Sequence, residues 1–356
     1  MTSTDNQPAF LAGAGEIAQD WARLGAHLAA HGMALDAEPA PRQFSSGFGN
    51  LNYLISVDGQ PRVLRRPPMG PIQPGANDMG RESRILLRLW KAFPLAPRCH
   101  HFCDDVDVLG APFFIMEYRP GLVIGGAMPD GLPADAGAGL GRMLAKQLAA
   151  FHAVDPAAVD LDSLGRPEGF LARTMGGWIK RAQAAWEGDD APAGLAWLAD
   201  WLAARQVADI APTLLHNDFK LDNVILDPGT LDPIAIIDWD MGTRGDPRWD
   251  LAAMLGYWTE AGDPDVMLEL DQMPTAGHSF PTREAVADLY AAFSGRDLGD
   301  FPFIRVLAVF RAAVIFRQLY VRYIGGGTDD PRFARFGASA DGLVDFAVDV
   351  ANEKYF

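Results

Sequence analysis

Two acids and an amide in the second half of the chain have a spacing that suits phosphoryl transfer. Within the stretch LLHNDFKLDNVILD, Asp218 and Asn223 follow His216 in the pattern H-x-D-x-x-x-x-N. The next apolar segment ends at Asp238. A loop carboxylate such as Asp218 can align an incoming hydroxyl, and the side-chain oxygens of Asn223 and Asp238 suit Mg²⁺. We therefore predict a loop that brings an alcohol towards a metal-bound nucleotide phosphate.

The first third of the chain reads as a small, mostly antiparallel sheet that carries one helix. Gly47 and Gly49 lie in a Ser/Gly-rich turn, where the lack of a side chain would let the backbone approach a phosphate. Beyond this turn the alternation of apolar residues predicts strands, and Asp58-Gly59 is typical of a hairpin turn. The predicted elements are strands at 51–57 and 62–65, a helix at 79–93 and a second hairpin from 106–109 and 112–118.

Most of the remaining chain has the apolar spacing of helices. Helices are predicted at 10–33, 140–152, 169–186, 195–208, 303–323 and 341–352, with a strand–turn–strand insert at 213–240. A chain of 356 residues is near the limit for one hydrophobic core. We therefore expect two lobes, residues 1–118 and residues 119–356.

Composition and charge exclude several classes of protein. Lys and Arg number 30 against 46 Asp and Glu, which gives a net charge of -16, so we predict no nucleic-acid partner. The chain does not open with a signal-peptide pattern, and its apolar runs are shorter than the roughly 18 residues of a membrane span. We expect a cytoplasmic protein with no membrane partner; the sequence makes no prediction of oligomeric state. Cys99 and Cys103 have no second Cys or His pair, which favours ordinary thiols.

The chemical motifs resemble those of a known enzyme family. The H-N-D…N loop followed by I-D-W-D is similar to the catalytic loop and metal-binding segment of protein kinases, in the form typical of aminoglycoside phosphotransferases and choline kinases. Within that family, the chain most resembles the subgroup related to kinase domains fused to acyl-CoA dehydrogenases. Four further segments in the family's order carry the resemblance: FSSG from Phe44, VLRRPP from Val63, MEYRPG from Met116 and GDPRWDL from Gly245.

The resemblance covers most of the chain and implies an α+β, bilobal protein-kinase-like fold. A small antiparallel-sheet lobe and a larger, mainly helical lobe would hold ATP and Mg²⁺ between them. Asp218 resembles the catalytic carboxylate, and Asn223 and Asp238 resemble the Mg²⁺ ligands. Asp250 resembles the buried acid that braces the catalytic loop, and His216 is interpreted as a structural member of that loop.

The same resemblance implies the residues that bind the nucleotide. A kinase lysine would lie on the strand at 62–65, where this chain has Arg65, with Arg66 as the alternative. Glu82 on the following helix would pair with that cation and fix its position. Glu117 and Tyr118 resemble the hinge, whose backbone would hydrogen-bond the adenine edge.

The predicted acceptor is a hydroxyl of a small molecule. Few residues separate Asp238 from the next helix and no A-P-E motif follows, which argues against a protein acceptor. The subgroup resemblance favours a hydroxyacyl-CoA or a related hydroxy acid. An aminoglycoside or choline-type acceptor is the alternative, because the acidic larger lobe suits a cation. A catalytically inactive nucleotide-binding homologue is a further alternative, because Arg stands where most kinases have Lys.

Overall fold

The computed structural model describes residues 9–11, 15–45, 49–70, 77–187, 191–328 and 330–356. Its strands are β1 (Arg42–Gln43), β2 (Leu51–Val57), β3 (Gln60–Arg66), β4 (Cys99–Cys103), β5 (Phe113–Glu117), β6 (Thr213–Leu215), β7 (Val224–Leu226), β8 (Pro233–Ile236) and β9 (Thr243–Gly245). Its helices are α1 (Trp21–Ala30), α2 (Met79–Leu86), α3 (Val106–Leu109), α4 (Ala136–His152), α5 (Phe170–Ala185), α6 (Gly194–Ala203), α7 (Pro247–Leu255), α8 (Asp265–Leu268), α9 (Arg283–Ser294), α10 (Phe301–Ile324) and α11 (Phe336–Ala351).

The chain divides into two compact units. Unit 1 comprises Met1–Val123, Ala157–Leu161 and Asn223–Gly242. Unit 2 comprises Ile124–Pro156, Asp162–Asp222 and Thr243–Phe356. The lobe boundary predicted between residues 118 and 119 stays a prediction.

Unit 1 is built on a five-stranded antiparallel sheet in the order β1-β2-β3-β5-β4. β2 and β3 form the predicted hairpin, because Asp58 and Gly59 both adopt the positive φ that a tight two-residue turn needs. Tyr53, Ile55 and Val57 are buried at alternate positions of β2. They form one core cluster with residues of α1, so the period-2 pattern fixes which face of this strand is covered.

The helices of unit 1 begin at aspartate caps. The carboxylate of each cap accepts a hydrogen bond from a backbone N–H in the first turn; the caps are Asp20, Asp78 and Asp105. Among the described residues, α1 and α2 are shorter than the helices predicted at 10–33 and 79–93. The cap Asp78 nevertheless starts α2 at Met79, where the predicted helix also begins.

The hairpin predicted over residues 106–118 is wrong in its first half. Residues 106–109 form helix α3, because Asp105 caps its start and Gly110 ends it in the left-handed conformation. The strand that pairs with β5 is instead β4. Its sequence, CHHFC, lacks a run of β-branched residues, so the sequence offered little signal for a strand.

A two-stranded sheet formed by β7 and β8 also belongs to unit 1. Leu122 and Leu226 exchange two backbone hydrogen bonds of 2.8 Å, which attach this hairpin to the segment after β5. Gly121 permits the close approach, because a Cβ there would lie 2.5 Å from the carbonyl oxygen of Leu226. The strand–turn–strand insert predicted at 213–240 is confirmed here, but β6 pairs with β9 in unit 2 instead of with β7.

Unit 2 is mainly helical. α10 packs along α11 and also contacts α5 and α7, while α4 packs on α9. Most of the first two turns and the middle of α10 are buried, including Arg305 and Arg311. Across the described part of the chain, we find no helix with both the length and the apolar character that a bilayer crossing requires.

Candidate active site

In unit 1, an ion-paired cluster joins three side chains that are far apart in the sequence. Nε of Arg65 donates to Oε2 of Glu82 at 2.8 Å, and Nη2 of Arg65 donates to Oδ1 of Asp238. The backbone N–H of Trp239 donates to Oε1 of Glu82 at 3.2 Å. Glu82 therefore holds both the cation and the segment that carries Asp238. The structure brings together the predicted phosphate-binding cation, its predicted partner and one predicted metal ligand.

The alternative cation, Arg66, lies in a different environment of the same unit. Its Nη1 donates to Oε1 of Gln19 and to the carbonyl oxygen of Leu109, both at 2.6 Å. Burial lowers the pKa of Arg66, and no carboxylate among the described residues forms an ion pair with it. Arg65, and not Arg66, is therefore the arginine that contacts Glu82.

Burial makes the two central members of this cluster dependent on each other. Arg65 is 7% exposed and Glu82 is 1% exposed. Burial disfavours the charge of Arg65, but the carboxylates of Glu82 and Asp238 outweigh this effect and raise its pKa. Burial also raises the pKa of Glu82, and the ion pair with Arg65 opposes that rise. Glu82 thus relies on Arg65 for its negative charge.

The predicted metal ligands, Asn223 and Asp238, lie at the same end of the β7–β8 hairpin. Val224 pairs with Ile236, and the N–H of Ile237 donates to the carbonyl oxygen of Asn223 at 2.9 Å. Asn223 therefore immediately precedes β7, and Asp238 lies two residues after the end of β8, next to the same Val224–Ile236 pair. Asp238 has a φ of 68°, in the left-handed region that few non-glycine residues adopt. Its side chain is 37% exposed, so a ligand can reach its carboxylate.

The donor chemistry at this hairpin end fits Mg²⁺. A carboxylate and an amide supply hard oxygen ligands from neighbouring backbone positions. Mg²⁺ keeps several waters and shares phosphate oxygens with a nucleotide, which requires an accessible ligand such as Asp238. Asn223 and Asp238 are thus the residues of unit 1 that would hold the ion, which when bound neutralises phosphate charge.

The predicted hinge residues end β5 and follow it. The N–H of Glu117 donates to the carbonyl oxygen of Arg98 at 2.9 Å, and its carboxylate accepts from Nη2 of Arg119 at 2.7 Å. Burial would raise the pKa of Glu117, but the hydrogen bonds from Arg119 and Arg98 lower it below its usual value. The Tyr118 ring lies 6.2 Å from that of Phe44. Both the side chain and the N–H of Glu117 are engaged within unit 1, so an adenine contact here would use other backbone groups.

Of the two predicted phosphate-binding glycines, Gly47 lies outside the described residues. Gly49 accepts a hydrogen bond from Nδ2 of Asn77 at 2.8 Å through its carbonyl oxygen. A Cβ at position 49 would lie 3.4 Å from the same amide nitrogen, which is close to an ordinary contact. The phosphate-binding role of both glycines stays a prediction.

In unit 2, buried Asp250 holds the backbone of the predicted catalytic loop. Its Oδ2 accepts from the N–H of His216 at 2.6 Å, and its Oδ1 accepts from the N–H of Asn217 at 2.7 Å. Nε2 of His152 lies 3.3 Å from Oδ2 of the same carboxylate. Burial lowers the pKa of His152, although the carboxylate of Asp250 opposes this shift. These contacts fix the segment that immediately precedes Asp218.

Asn217, between His216 and Asp218, has a backbone conformation that explains its residue type. Its φ is 67°, which favours glycine or asparagine. Its side-chain Oδ1 accepts from the indole N–H of Trp249 at 2.9 Å, and its carbonyl oxygen accepts from Nη2 of Arg311 at 3.0 Å. Trp249 of α7 therefore holds the side-chain amide of Asn217, and Arg311 of α10 holds its backbone carbonyl.

Replacing Asp250 with asparagine is expected to lower the free energy of unfolding by about 1–3 kcal/mol. An amide offers one acceptor oxygen in place of two, so one of the buried N–H groups of His216 and Asn217 loses its partner. Denaturant titration would measure the loss, with Asp288→Asn on the exposed face of α9 as the matched control. A variant as stable as this control would contradict the assigned role.

Lys220 is a candidate site residue that sequence reasoning missed. Its Nζ lies 2.6 Å from Oδ2 of Asp222 and 3.9 Å from Oδ2 of Asp218. Burial disfavours its charge, but Asp218 and Asp222 outweigh this effect and raise its pKa. The loop therefore carries a fixed cation beside Asp218. The sequence signal for this residue is the segment DFK, which places Lys220 in the same short loop as the predicted catalytic acid Asp218.

Comparison with known protein families identifies the family of this chain. The profile of the phosphotransferase enzyme family APH matches residues 40–289, which include the predicted nucleotide-binding residues and the Asp218 loop. The chain belongs to this phosphotransferase family. The matched segment extends into α9, whereas α10 and α11 lie beyond it.

Among curated proteins, one relative of this chain is acyl-CoA dehydrogenase family member 10 of Mus musculus. It is 30% identical over 316 residues, which cover 88% of this chain and 29% of that protein. The chain spans less than half the length of the curated relatives that it matches. The predicted resemblance to phosphotransferase domains related to acyl-CoA dehydrogenases is confirmed.

Solved structures show the same fold. A Ralstonia eutropha protein assigned to the aminoglycoside phosphotransferases has a TM-score of 0.77 and 24% identity, and the match covers 94% of this chain and 99% of that one. An aminoglycoside phosphotransferase in ternary complex with ADP and hygromycin B has a TM-score of 0.57 and 18% identity, covering 92% and 98% of the two chains. The predicted α+β protein-kinase-like fold is confirmed.

Proposed function

We propose that this phosphotransferase moves the γ-phosphoryl group of ATP, with Mg²⁺, to a hydroxyl of a small molecule. The observation that supports this most is the Arg65–Glu82–Asp238 cluster, which unites a cation, the acid that orients it and an accessible metal ligand. Membership of the phosphotransferase family supports the reaction class. A structural relative in complex with ADP supports an adenine nucleotide.

In unit 1, the proposed task is to hold the metal and the phosphates. Asn223 and Asp238 supply the oxygen ligands, and Arg65 supplies a charge that does not titrate in the physiological range. Glu82 orients Arg65 through the 2.8 Å hydrogen bond at Nε. Together with bound Mg²⁺, Arg65 would stabilise negative phosphate charge without rearrangement of the side chain of Glu82.

In unit 2, the proposed task is to align the acceptor. Asp218 accepts a hydrogen bond from the acceptor hydroxyl and takes its proton as the new P–O bond forms and the bond to ADP breaks. Lys220, 3.9 Å from the Asp218 carboxylate, adds positive charge where negative charge is transferred. Asp250 and Arg311 keep the loop backbone in place, so they act as positioning residues.

We infer that the acceptor is anionic, such as a hydroxyacyl-CoA or a related hydroxy acid. The relatives with acyl-CoA dehydrogenase in their names support the same class. Aminoglycosides and choline analogues are the competing acceptors to be tested.

A thermal-stability screen tests the binding steps of this proposal. We expect ATP with Mg²⁺ to raise the midpoint of unfolding, and a hydroxyacyl-CoA added with a non-hydrolysable ATP analogue to raise it further. The same screen would contain aminoglycosides, choline analogues and free hydroxy acids. A shift with an aminoglycoside alone would contradict the anionic acceptor. The absence of any shift with ATP and Mg²⁺ would contradict the proposed function itself.

A further inference from the structure

Three histidines in unit 1 converge at a place that has no part in the proposed phosphotransfer. His27 lies in the last turn of α1, His31 is the residue that ends this helix, and His101 lies on β4. One ring nitrogen from each lies within 4.8 Å of the others. The ring centroids are 4.4 Å apart for His27 and His31, 5.1 Å for His27 and His101, and 5.0 Å for His31 and His101.

We propose that His27, His31 and His101 form a binding site for Zn²⁺ or a similar late first-row divalent cation. Imidazole is a preferred ligand of these ions, and three histidines with water in the fourth position form a known type of zinc coordination. The ion would join the end of α1 to the β4 strand at the edge of the sheet. Nothing in this proposal depends on the proposed function.

The distances suit this ion after small side-chain rotations. Zn–N bonds of about 2.0–2.1 Å place two ligand nitrogens of a tetrahedral site about 3.3 Å apart. The Nε2 atoms of His27 and His101 lie 2.9 Å apart and share a hydrogen bond, so they need to separate by only about 0.4 Å. His31 would approach this pair by ring rotation, which its exposed position allows.

Hydrogen bonding already prepares the His31 ring for a metal. Nδ1 of His31 lies 2.8 Å from the carbonyl oxygen of His27, and a carbonyl can only accept, so Nδ1 carries the proton. In the neutral ring, the lone pair is then on Nε2. A backbone carbonyl that accepts from the second ring nitrogen is the arrangement usually found behind a metal-ligating histidine.

The surroundings favour neutral imidazoles and a cation. Burial and the adjacent histidines lower the pKa of His101 to about 4, and burial with His31 lowers the pKa of His27. One of the two Nε2 atoms donates the hydrogen bond between His27 and His101, so that ring would move its proton to Nδ1 when the metal binds. The carboxylate of Asp105 opposes the shift from burial and raises the pKa of His27. Together with the partial negative charge at the C-terminal end of α1, it favours a bound cation.

Metal titration of the full chain tests this site. Protein freed of metal with a chelator would be titrated with Zn²⁺ and, separately, with Co²⁺, in the presence of excess Mg²⁺ to occupy oxygen-ligand sites. His31→Ala is the test variant, because His31 is exposed and its loss should leave the fold intact. His100→Ala is the matched control, because His100 lies on the same strand outside the three-histidine cluster.

We expect one Zn²⁺ per chain, a Co²⁺ visible spectrum typical of low coordination number, and a rise of roughly 2–5 °C in the unfolding midpoint with saturating Zn²⁺. His31→Ala should weaken Zn²⁺ binding by about tenfold or more, and His100→Ala should not. Equal affinity of the wild type and His31→Ala, or equal loss in His100→Ala, would overturn the assignment. These readouts do not involve nucleotide or turnover, so they separate this site from the phosphotransferase proposal.

Discussion

Replacing Asp218 with asparagine is expected to lower kcat for acceptor-dependent phosphoryl transfer by about 10²–10⁴-fold. Asparagine keeps the size of the side chain but cannot take the proton of the acceptor hydroxyl. The loop itself should persist, because Asp250 accepts hydrogen bonds from the N–H groups of His216 and Asn217. The dissociation constant of ATP should therefore stay within a few-fold of the wild-type value.

The measurement is steady-state ADP release with and without the acceptor. Asp232→Asn is the matched control, since it removes a carboxylate from the exposed turn between β7 and β8. Its kcat should equal that of the wild type. If Asp218→Asn kept acceptor-dependent turnover near the wild-type rate, Asp218 would not be the residue that aligns and deprotonates the acceptor.

Replacing Arg65 with methionine is expected to lower the free energy of unfolding by about 3–5 kcal/mol at pH 8.5. The substitution leaves Glu82 buried at 1% exposure without its counter-charge, whereas Asp238 is accessible enough to remain hydrated. Denaturant titration would measure the loss. Arg62→Met, on the same strand but without an ion pair in the described part of the chain, is the control and should cost far less.

This loss should depend on pH in a defined direction. Burial raises the pKa of Glu82, and without Arg65 nothing in the ion pair opposes that rise. A carboxyl whose pKa in the folded state lies above its unfolded value contributes stability at low pH that disappears as pH rises through the folded-state pKa. The deficit of Arg65→Met should therefore be smaller at pH 5.5 than at pH 8.5, and an equal or larger deficit at pH 5.5 would contradict this account.

A double variant gives a second test of the buried pair. Arg65→Met with Glu82→Met removes both charges, and apolar replacements of a buried ion pair are often neutral for stability. We expect the double variant to regain much of the stability lost in Arg65→Met. A double variant that is less stable than Arg65→Met would show that Glu82 contributes through its contact with the Trp239 backbone more than through its charge.

The site could be predicted from the sequence where a motif fixes both residue type and order. The resemblance pairs Arg65 with Glu82 and assigns Asp238 to the metal, and the structure places all three side chains in one cluster. The hairpin at Asp58-Gly59 could also be predicted, because a positive-φ turn leaves few alternatives. In these cases local chemistry and tertiary structure favour the same answer.

Other features could not be predicted, because they depend on tertiary contacts that have no local signal. β4 has the sequence CHHFC, which carries no strand signal of its own, and its backbone pairs with β5. The three histidines come from a helix end and a strand far apart in sequence. Pairwise spacing along the chain cannot reveal such a cluster.

The most direct test of the central claim follows the transferred phosphoryl group itself. The protein would be incubated with Mg²⁺ and ATP labelled with ¹⁸O on the γ-phosphate, together with a hydroxyacyl-CoA, and the products identified by mass spectrometry. We predict that the label appears in a phosphate ester of the acceptor, with one ADP formed per ester, and that Asp218→Asn forms almost none. If folded wild-type protein bound ATP but left it intact with every small acceptor tested, the chain would be a nucleotide-binding homologue without phosphotransferase activity.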